Sequence, residues 1–396
     1  MKKTLVALAT LSAIGSAFAD VDVSGGIKLY GVIDQAAMKQ SWSSSEKIST
    51  TTASSQSGLF AASSTSRLGV RGKRDLGNET NALFQIEIEL VPQNNSDQDT
   101  GYKTRGLMPP KNRGTFVGLE NPKNGSIRLG TQETSAYELF AMDVNGRVEY
   151  KPQVWRYTTS NSTQDRTGHS VKLTSPTVSG FTAAVMYAPK QQPDIAKDSN
   201  SKTTPNYNSF GLNYANEEIK VSFVRDREFD KSSATAAQYR MPGDQYEGLR
   251  NTIEGFETPY ASGGKSAPLI RNILGASYDF KTAKVVYMYA DSSITGDGAA
   301  GGKLSTSTFG VRVPLDNFAF AISYGTGSYS NNLSSGVSGY RSGSVTDTTF
   351  GAYYNFDKST STYILYSNST HVATAAATTY GGGFTRAAAV GLKYVF

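Results

Sequence analysis

The stretch from Arg386 to Phe396 reads Arg-Ala-Ala-Ala-Val-Gly-Leu-Lys-Tyr-Val-Phe. Counting back from Phe396, the residues Tyr394, Leu392, Val390 and Ala388 fall two apart, so a strand here has one apolar face that becomes aromatic toward its end. Such a face suits the rim of a barrel whose outer wall meets lipid. The other end supports this. Lys2 and Lys3, the apolar run from Leu5 to Ile14 and the small-residue site Ala17-Phe18-Ala19 predict a secretory signal peptide over residues 1–19. Residues 20–396 then read as one domain beginning at Asp20. Removing Lys2 and Lys3 from 39 basic residues leaves 37 against 33 acidic ones, a mature charge of +4.

That small excess points to no nucleic-acid partner, because a DNA-binding domain clusters its charge on one face and is not exported. Beyond the leader there is no apolar run long enough for a membrane helix, and the mean hydropathy is −0.37. Alternating strands escape that test, since half of their residues are polar. With no cysteine, neither disulfides nor thiolate metal sites are available. The 39 glycines and 23 tyrosines fit tight turns, strands and aromatic girdles.

Along the chain, alternating segments are joined by short turns on one side and long polar loops on the other. Four hairpins stand out: Tyr207 to Tyr214 with Ile219 to Arg225, Ile273 to Phe280 with Lys284 to Tyr289, Thr308 to Val313 with Phe318 to Tyr324, and Thr349 to Phe356 with Thr362 to Tyr366. Seven more strands are expected at Gly26 to Asp34, Ser66 to Arg74, Asn81 to Leu90, Arg113 to Leu119, Ser126 to Thr131, His169 to Thr174 and Phe181 to Ala188, with Arg386 to Phe396 as the sixteenth. The expected fold is all-β, a 16-stranded antiparallel transmembrane β-barrel around an aqueous lumen. Period alone does not say which face of a strand such as Phe318 to Tyr324 is outside. The leader, the long loops and Phe396 favour the apolar face outward.

Particular motifs carry a family resemblance. Ser66-Arg67-Leu68-Gly69-Val70-Arg71-Gly72, running on to Asp75-Leu76-Gly77, resembles the second strand and first short turn of the general porins of Gram-negative bacteria, of the Neisseria and Burkholderia type. Ile27 to Asp34 is similar to that family's first strand, Arg113 to Leu119 and Gly125 to Gly130 to its fourth and fifth, and Gly391 to Phe396 to its last. The resemblance implies a homotrimer in the outer membrane, with periplasmic short turns, long external loops and a third loop folded inward. Small hydrophilic solutes and inorganic ions would diffuse through each barrel. It further implies contact with outer-membrane lipid and lipopolysaccharide, and makes Tyr394 and Phe396 a signal for the outer-membrane assembly machinery. Two positions depart from the family pattern: Thr131 stands where Arg is frequent, and Arg74 where an acid is common.

Strand period places the charges. With Leu68 and Val70 outward, Arg67, Arg71 and Lys73 point inward; with Ile127 and Leu129 outward, so does Arg128; with Ile27 and Leu29 outward, so does Lys28; and with Phe116 outward, so does Arg113. A Lys or Arg on the lipid face at the membrane midplane costs about 2–4 kcal/mol, which favours these assignments. The third loop, between Thr131 and Gly168, carries Glu133, Glu138, Asp143 and Glu149 as constriction acids. A basic wall facing an acidic loop sets up a transverse field and favours anions.

No catalytic residue, cofactor or metal is expected. The only histidines, His169 and His371, lack metal-ligand spacing, and Ser170 next to His169 points to the opposite face. Gly381-Gly382-Gly383 reads as an external loop, and Asn94 to Asp99 lacks the spacing of a calcium loop. The alternative is a substrate-specific channel, or an adhesion protein that uses loops such as Asp226 to Arg271 and has negligible ion flux.

Overall fold

The computed structural model describes residues 21–46, 49–60, 64–90, 112–146, 166–189, 206–229, 237–238, 257–258, 268–294, 302–331, 340–375 and 380–396. The predicted leader, Glu149 and Asn94 to Asp99 lie outside them. In chain order the strands are β1 Val21–Ser24, β2 Ile27–Glu46, β3 Ser49–Phe60, β4 Arg67–Asp75, β5 Asn81–Glu89, β6 Asn112–Asn121 and β7 Gly125–Glu133. After the short helix α1, Ser135–Phe140, come β8 Arg166–Thr174, β9 Phe181–Ala188, β10 Asn206–Ala215 and β11 Ile219–Phe229. A two-residue ladder pairs β12 Ala237–Gln238 with β13 Glu257–Thr258. The wall then continues with β14 Pro268–Asp279, β15 Lys284–Ile294, β16 Gly302–Leu315, β17 Phe318–Asn331, β18 Tyr340–Asn355, β19 Thr360–Ala375 and β20 Tyr380–Val395.

From β4 onward each wall strand pairs antiparallel with the next, β11 passing directly to β14, and β20 returns to pair with β2 from Val395 opposite Val32 to Gly382 opposite Ser45. The sheet is therefore a closed barrel. On its other edge β2 meets β4 from Ile27 to Val32 and β3 from Ala36 to Glu46, so β3 and β4 together make one stave broken between them. Counted that way the wall has sixteen staves, as the alternation predicts. The short β1 folds back on Ile27 to Leu29, covering the part of β2 that lies below the reach of β20.

Most strands run further than their apolar alternation, chiefly at the long-loop end. β18 begins at Tyr340 rather than Thr349, and β19 runs to Ala375 rather than Tyr366. There the ladder is built of Ser, Thr and Gly, which carry no hydrophobic period but pair their backbones equally well. Gly381 to Gly383, expected as a loop, are ladder residues opposite Ala373, Val372 and His371. Asp226 and Arg271 likewise sit in paired strands.

At the short-turn end the sequence uses one device repeatedly. Asp75, Asn121, Asn216, Asp279 and Asp357 each accept a hydrogen bond from the backbone N–H two residues on, at 2.7 Å for Gly77, 2.9 Å for Lys123, 2.9 Å for Glu218, 2.8 Å for Lys281 and 2.7 Å for Ser359. An Asp or Asn side chain mimics a turn of backbone, which is why these residues open tight connections.

The outer face is apolar. Val117, Leu119, Leu129, Tyr187, Phe309, Ile364 and Val390 all point away from the barrel and are exposed, Val390 at 57%. Near the short turns aromatic rings meet pairwise, Phe181 with Tyr214 at 4.8 Å, Tyr278 with Phe280 at 4.4 Å and Phe318 with Tyr354 at 4.7 Å between centroids. Apolar flanks with an aromatic rim match the bilayer core and its interface.

Around the seam, inward rings lie across glycines of the neighbouring stave. The Tyr30 ring covers Gly69 and ends on Glu87, and the Tyr363 ring covers Gly391 and ends on Asp34. A Cβ on either glycine would collide with the ring above it. Gly69→Val and Gly391→Val should each lower barrel stability by about 1–3 kcal/mol, the usual penalty for overpacking. The measurement is the urea midpoint of the refolded protein in lipid, and an unchanged midpoint contradicts the ring-on-glycine packing.

The Asp357 carboxyl is held below the usual carboxylate range by the backbone N–H groups of Ser359 and Thr360. A depressed folded value means stability that is present above the ordinary carboxylate value of about 4 and lost as pH falls through the lower folded value. The midpoint difference between wild type and Asp357→Ala should therefore be full at neutral pH and shrink below about pH 4. A difference independent of pH contradicts the turn-capping role.

Candidate functional site

The third loop enters the barrel. Thr134 caps α1, its hydroxyl accepting from the Tyr137 N–H at 3.2 Å, and the chain then runs across the bore to the opposite wall. Ala136, Leu139, Phe140, Met142 and Val144 pack on Val224 of β11, Ile273 of β14, Val286, Met288 and Ala290 of β15 and Ala321 of β17. Small wall residues make room for it. A Cβ on Gly275 would stand 2.9 Å from the Met142 sulfur, and one on Gly310 would stand 2.7 Å from Val144.

The far end of the loop is latched. Asn145 donates from Nδ2 to Ser323 Oγ at 3.1 Å, and its Oδ1 accepts from the Tyr353 hydroxyl at 3.1 Å. Arg312 donates to the Val144 carbonyl at 3.1 Å and its guanidinium lies over the Tyr353 ring, 4.5 Å from the centroid. Residues 134–146 are thus fixed at both ends, on β7 and on β16 to β18.

Among the predicted basic residues, the structure brings most together on one arc of the inner wall, and it pairs several with acids. Arg113 donates to Glu87 at 2.9 Å, and Arg67 lies 3.6 Å from the same carboxylate. Arg113 also approaches Glu89 at 3.6 Å, and Lys73 contacts Glu120 at 2.5 Å. Those acids share the inner face of β5 and β6, which sequence reasoning left out. Lys28 and Arg71 are direct cross-strand partners, with Arg71 over the Tyr30 ring at 5.0 Å. Arg128 lies over the Phe116 ring at 5.1 Å.

That contact corrects one assignment. Phe116 was expected outward, but Val117 at 56% exposed and Leu119 at 45% hold the outer face, so Phe116 points into the bore. Arg113 is nonetheless inward and buried, because the β5–β6 ladder slips at Glu87 and Ile88 and a bulge turns it over.

The loop acids are distributed differently from a simple acidic rim. Glu133 closes β7 and pairs with Arg166 at 2.5 Å, and Glu138 on α1 pairs with Lys172 at 2.5 Å. Asp143 is buried and accepts from the Asn145 N–H at 2.9 Å, holding the loop's own turn. Opposing charges therefore meet in contact pairs, and only part of the expected field spans the lumen.

Further inward cations went unnoticed in the sequence: Lys172, Lys220, Lys284, Arg312 and Lys393. Each sits at an even offset from small or buried residues of its own strand, as Lys284 does from Val286 and Met288, so the same period rule would have found them. Deeper toward the long-loop end, Arg271 and Asp226 form a fully buried pair at 2.6 and 2.9 Å, joined by Tyr207. Tyr394 is exposed on the outer face and its ring stacks with that of Phe396 at 6.1 Å. Ser170 is buried against Gly130 and Gln132 while His169 points away, so the two form no pair. Among the described residues no group of three His, Asp or Glu side chains is placed to hold a metal ion.

Comparison with known proteins places this geometry. A family model described as Gram-negative porin matches residues 4–374. The major outer membrane protein P.IB of Neisseria gonorrhoeae is 30% identical over 229 residues, 54% of each chain. This chain spans about half the length of that curated relative or less of others, 36% for a porin of Delftia acidovorans. In structure, an anion-selective porin from Comamonas acidovorans superimposes with a TM-score of 0.66 at 19% identity, covering 93% of this chain and 99% of that one. OmpT of Vibrio cholerae in its trimer form gives 0.56 at 13% identity, with 93% and 99% covered. Those low identities speak for the fold alone, but the family model spans most of the sequence. With its barrel apolar outside, charged inside and entered by its own third loop, and with that family model matched over residues 4–374, the chain belongs to the Gram-negative porins, an outer-membrane family.

Proposed function

We propose that the protein is a diffusion channel that passes small hydrophilic solutes and inorganic ions across the outer membrane, favours anions and works as a homotrimer. The observation that carries this reading is the loop latched across a bore whose inner wall holds more cations than acids to neutralise them. Water fills such a lumen, the loop limits the size of solutes that pass, and the wall charge raises the local concentration of anions. The trimer form of the Vibrio relative and the apolar outer wall support assembly in threes. Lys28, Arg67, Arg71, Lys73, Arg113 and Arg128 act as pore-lining charges in this reading, with Glu133, Glu138 and Asp143 at the constriction. Arg67, Lys73 and Arg113 contribute less than their number suggests, because each lies beside a carboxylate.

Planar bilayers test this directly. Conductance should rise in steps of three, and reversal potentials in a potassium chloride gradient should show anion preference. A unit charge about 10 Å from an ion in water changes its energy by about 0.4 kcal/mol, or roughly two-fold in local concentration. Each charge acts on anions and cations with opposite sign, so Arg71→Ala with Arg128→Ala should lower the anion-to-cation permeability ratio by up to about sixteen-fold at low salt, where screening is weak. An unchanged ratio rejects these two residues as selectivity charges.

The latch makes a separate prediction. Asn145→Ala removes bonds to Ser323 and Tyr353 while leaving the apolar packing of Leu139 and Met142, so the loop end should loosen and open-channel noise and unitary conductance should increase. Identical single-channel records would show that the apolar contacts alone hold the loop.

A further inference from the structure

Six of the cations inside the barrel lie against a carboxylate. Arg67, Arg113, Lys73, Arg166, Lys172 and Arg271 all do. A group on the opposite arc, at the short-turn side of the loop, does not. Lys284 of β15 is the direct cross-strand partner of Arg312 on β16, and Lys220 of β11 lies within electrostatic reach of Lys284 two staves away. Among the described residues none of the three forms an ion pair with an acid.

Direction follows from strand period. Val224, Val286 and Gly310 meet the inward loop, and Lys220, Lys284 and Arg312 stand at even offsets from them, so all three point into the bore. Arg312 is already oriented by the Val144 carbonyl and the Tyr353 ring. Two acids lie nearby: Asp279 of β14, cross-strand partner of Lys284, whose Oδ1 also accepts from the Lys281 N–H at 2.8 Å, and Asp143 of the loop, within electrostatic reach of the Tyr353 that Arg312 covers and itself accepting from the Asn145 N–H at 2.9 Å. Three cations face these two carboxylates, each of which already accepts a backbone N–H, and the positive excess sits at half-buried positions beside the loop.

We propose that Lys220, Lys284 and Arg312 form a binding subsite for a small dianion of the phosphate type, on the short-turn side of the constriction. The reading rests on the channel function above and adds to it a saturable site. Like charges held this close repel, and an anion carrying two charges relieves that repulsion where chloride relieves half of it. Two ammonium groups and a guanidinium also supply charge-assisted donors that suit a tetrahedral oxyanion. A solute that has passed the loop meets this group next, so occupancy there obstructs the chloride path.

The test uses the full-length protein reconstituted in planar bilayers with potassium chloride on both sides. Inorganic phosphate, at a pH where it carries two charges, should reduce the chloride current along a saturating curve, and sulfate should do the same. Lys220→Gln with Lys284→Gln should raise the half-blocking concentration about tenfold or more, the effect of losing at least one charge-assisted contact. Lys303→Gln, on the outer face of β16, should leave it unchanged and controls for net charge. A current that falls without saturation, or a half-blocking concentration that the double variant leaves in place, overturns the subsite while the channel stands. Absence of any conductance in potassium chloride alone would bring down the channel reading, and the subsite with it.

Discussion

In hydrocarbon every backbone N–H and C=O must find a partner within the protein, so a sheet can cross a membrane only if it has no edge. Everything else in this molecule follows from where the edge is closed. β2 carries the burden: it pairs with β20 on one side and with both β3 and β4 on the other. Gly31 exchanges backbone hydrogen bonds with Phe396 at 2.7 and 3.1 Å, and the Phe396 ring lies where a Cβ of Gly31 would be. The break between β3 and β4 falls beside Asp34. Its buried carboxylate accepts from the Ser64 backbone and from the Tyr363 hydroxyl, while its own N–H and C=O engage Ser66. A buried carboxylate is tolerated only when it is satisfied in this way, and here it ties β19, β2 and the break together across the seam.

Closure makes an interior, and the interior is not uniformly polar. Where the loop docks, β14 and β15 are apolar on both faces, with Ile273, Val286 and Met288 inward and Leu274, Tyr287 and Tyr289 outward. Elsewhere the inner face bears Lys, Arg, Glu, Ser and Thr. The loop is thus held by the same hydrophobic effect that places the outer wall in lipid, applied to a patch of bore from which the loop excludes water. Its polar end, at Asn145, is positioned by hydrogen bonds that depend on that apolar docking to bring them within reach.

Much of this was legible in the residues. The tail from Arg386, the strands around Leu68 and Ile127 and the hairpin at Phe318 show their faces because an apolar outside alternates with a small or charged inside. The turns were legible too, had the recurring Asp or Asn been read as a backbone mimic. Phe116 was misplaced because a bulge shifts the period by one residue, and one strand's composition carries no mark of its partner's slip. Gly381 to Gly383 were taken for a loop because ladder pairing beyond the bilayer needs no apolar period. The path of residues 134–146 was invisible for a different reason: it is decided by the wall that receives it, on strands from β11 to β18 that lie far along the chain.

Counting basic residues overstates what an ion in the bore experiences. A cation in contact with a carboxylate presents a dipole, whose field weakens with distance faster than that of a lone charge, and water screens what remains. Glu87 stands between Arg67 and Arg113, and Glu120 beside Lys73, so these three cations offer an ion less than their number suggests. Lys220, Lys284 and Arg312 form no ion pair among the described residues, with Asp279 and the loop's Asp143 the acids nearby. On the reading proposed above, the cations near the short turns add an asymmetry along the axis to a barrel wall that is otherwise regular. The arrangement of acids, more than the number of lysines and arginines, sets where along the pore an anion is stabilised.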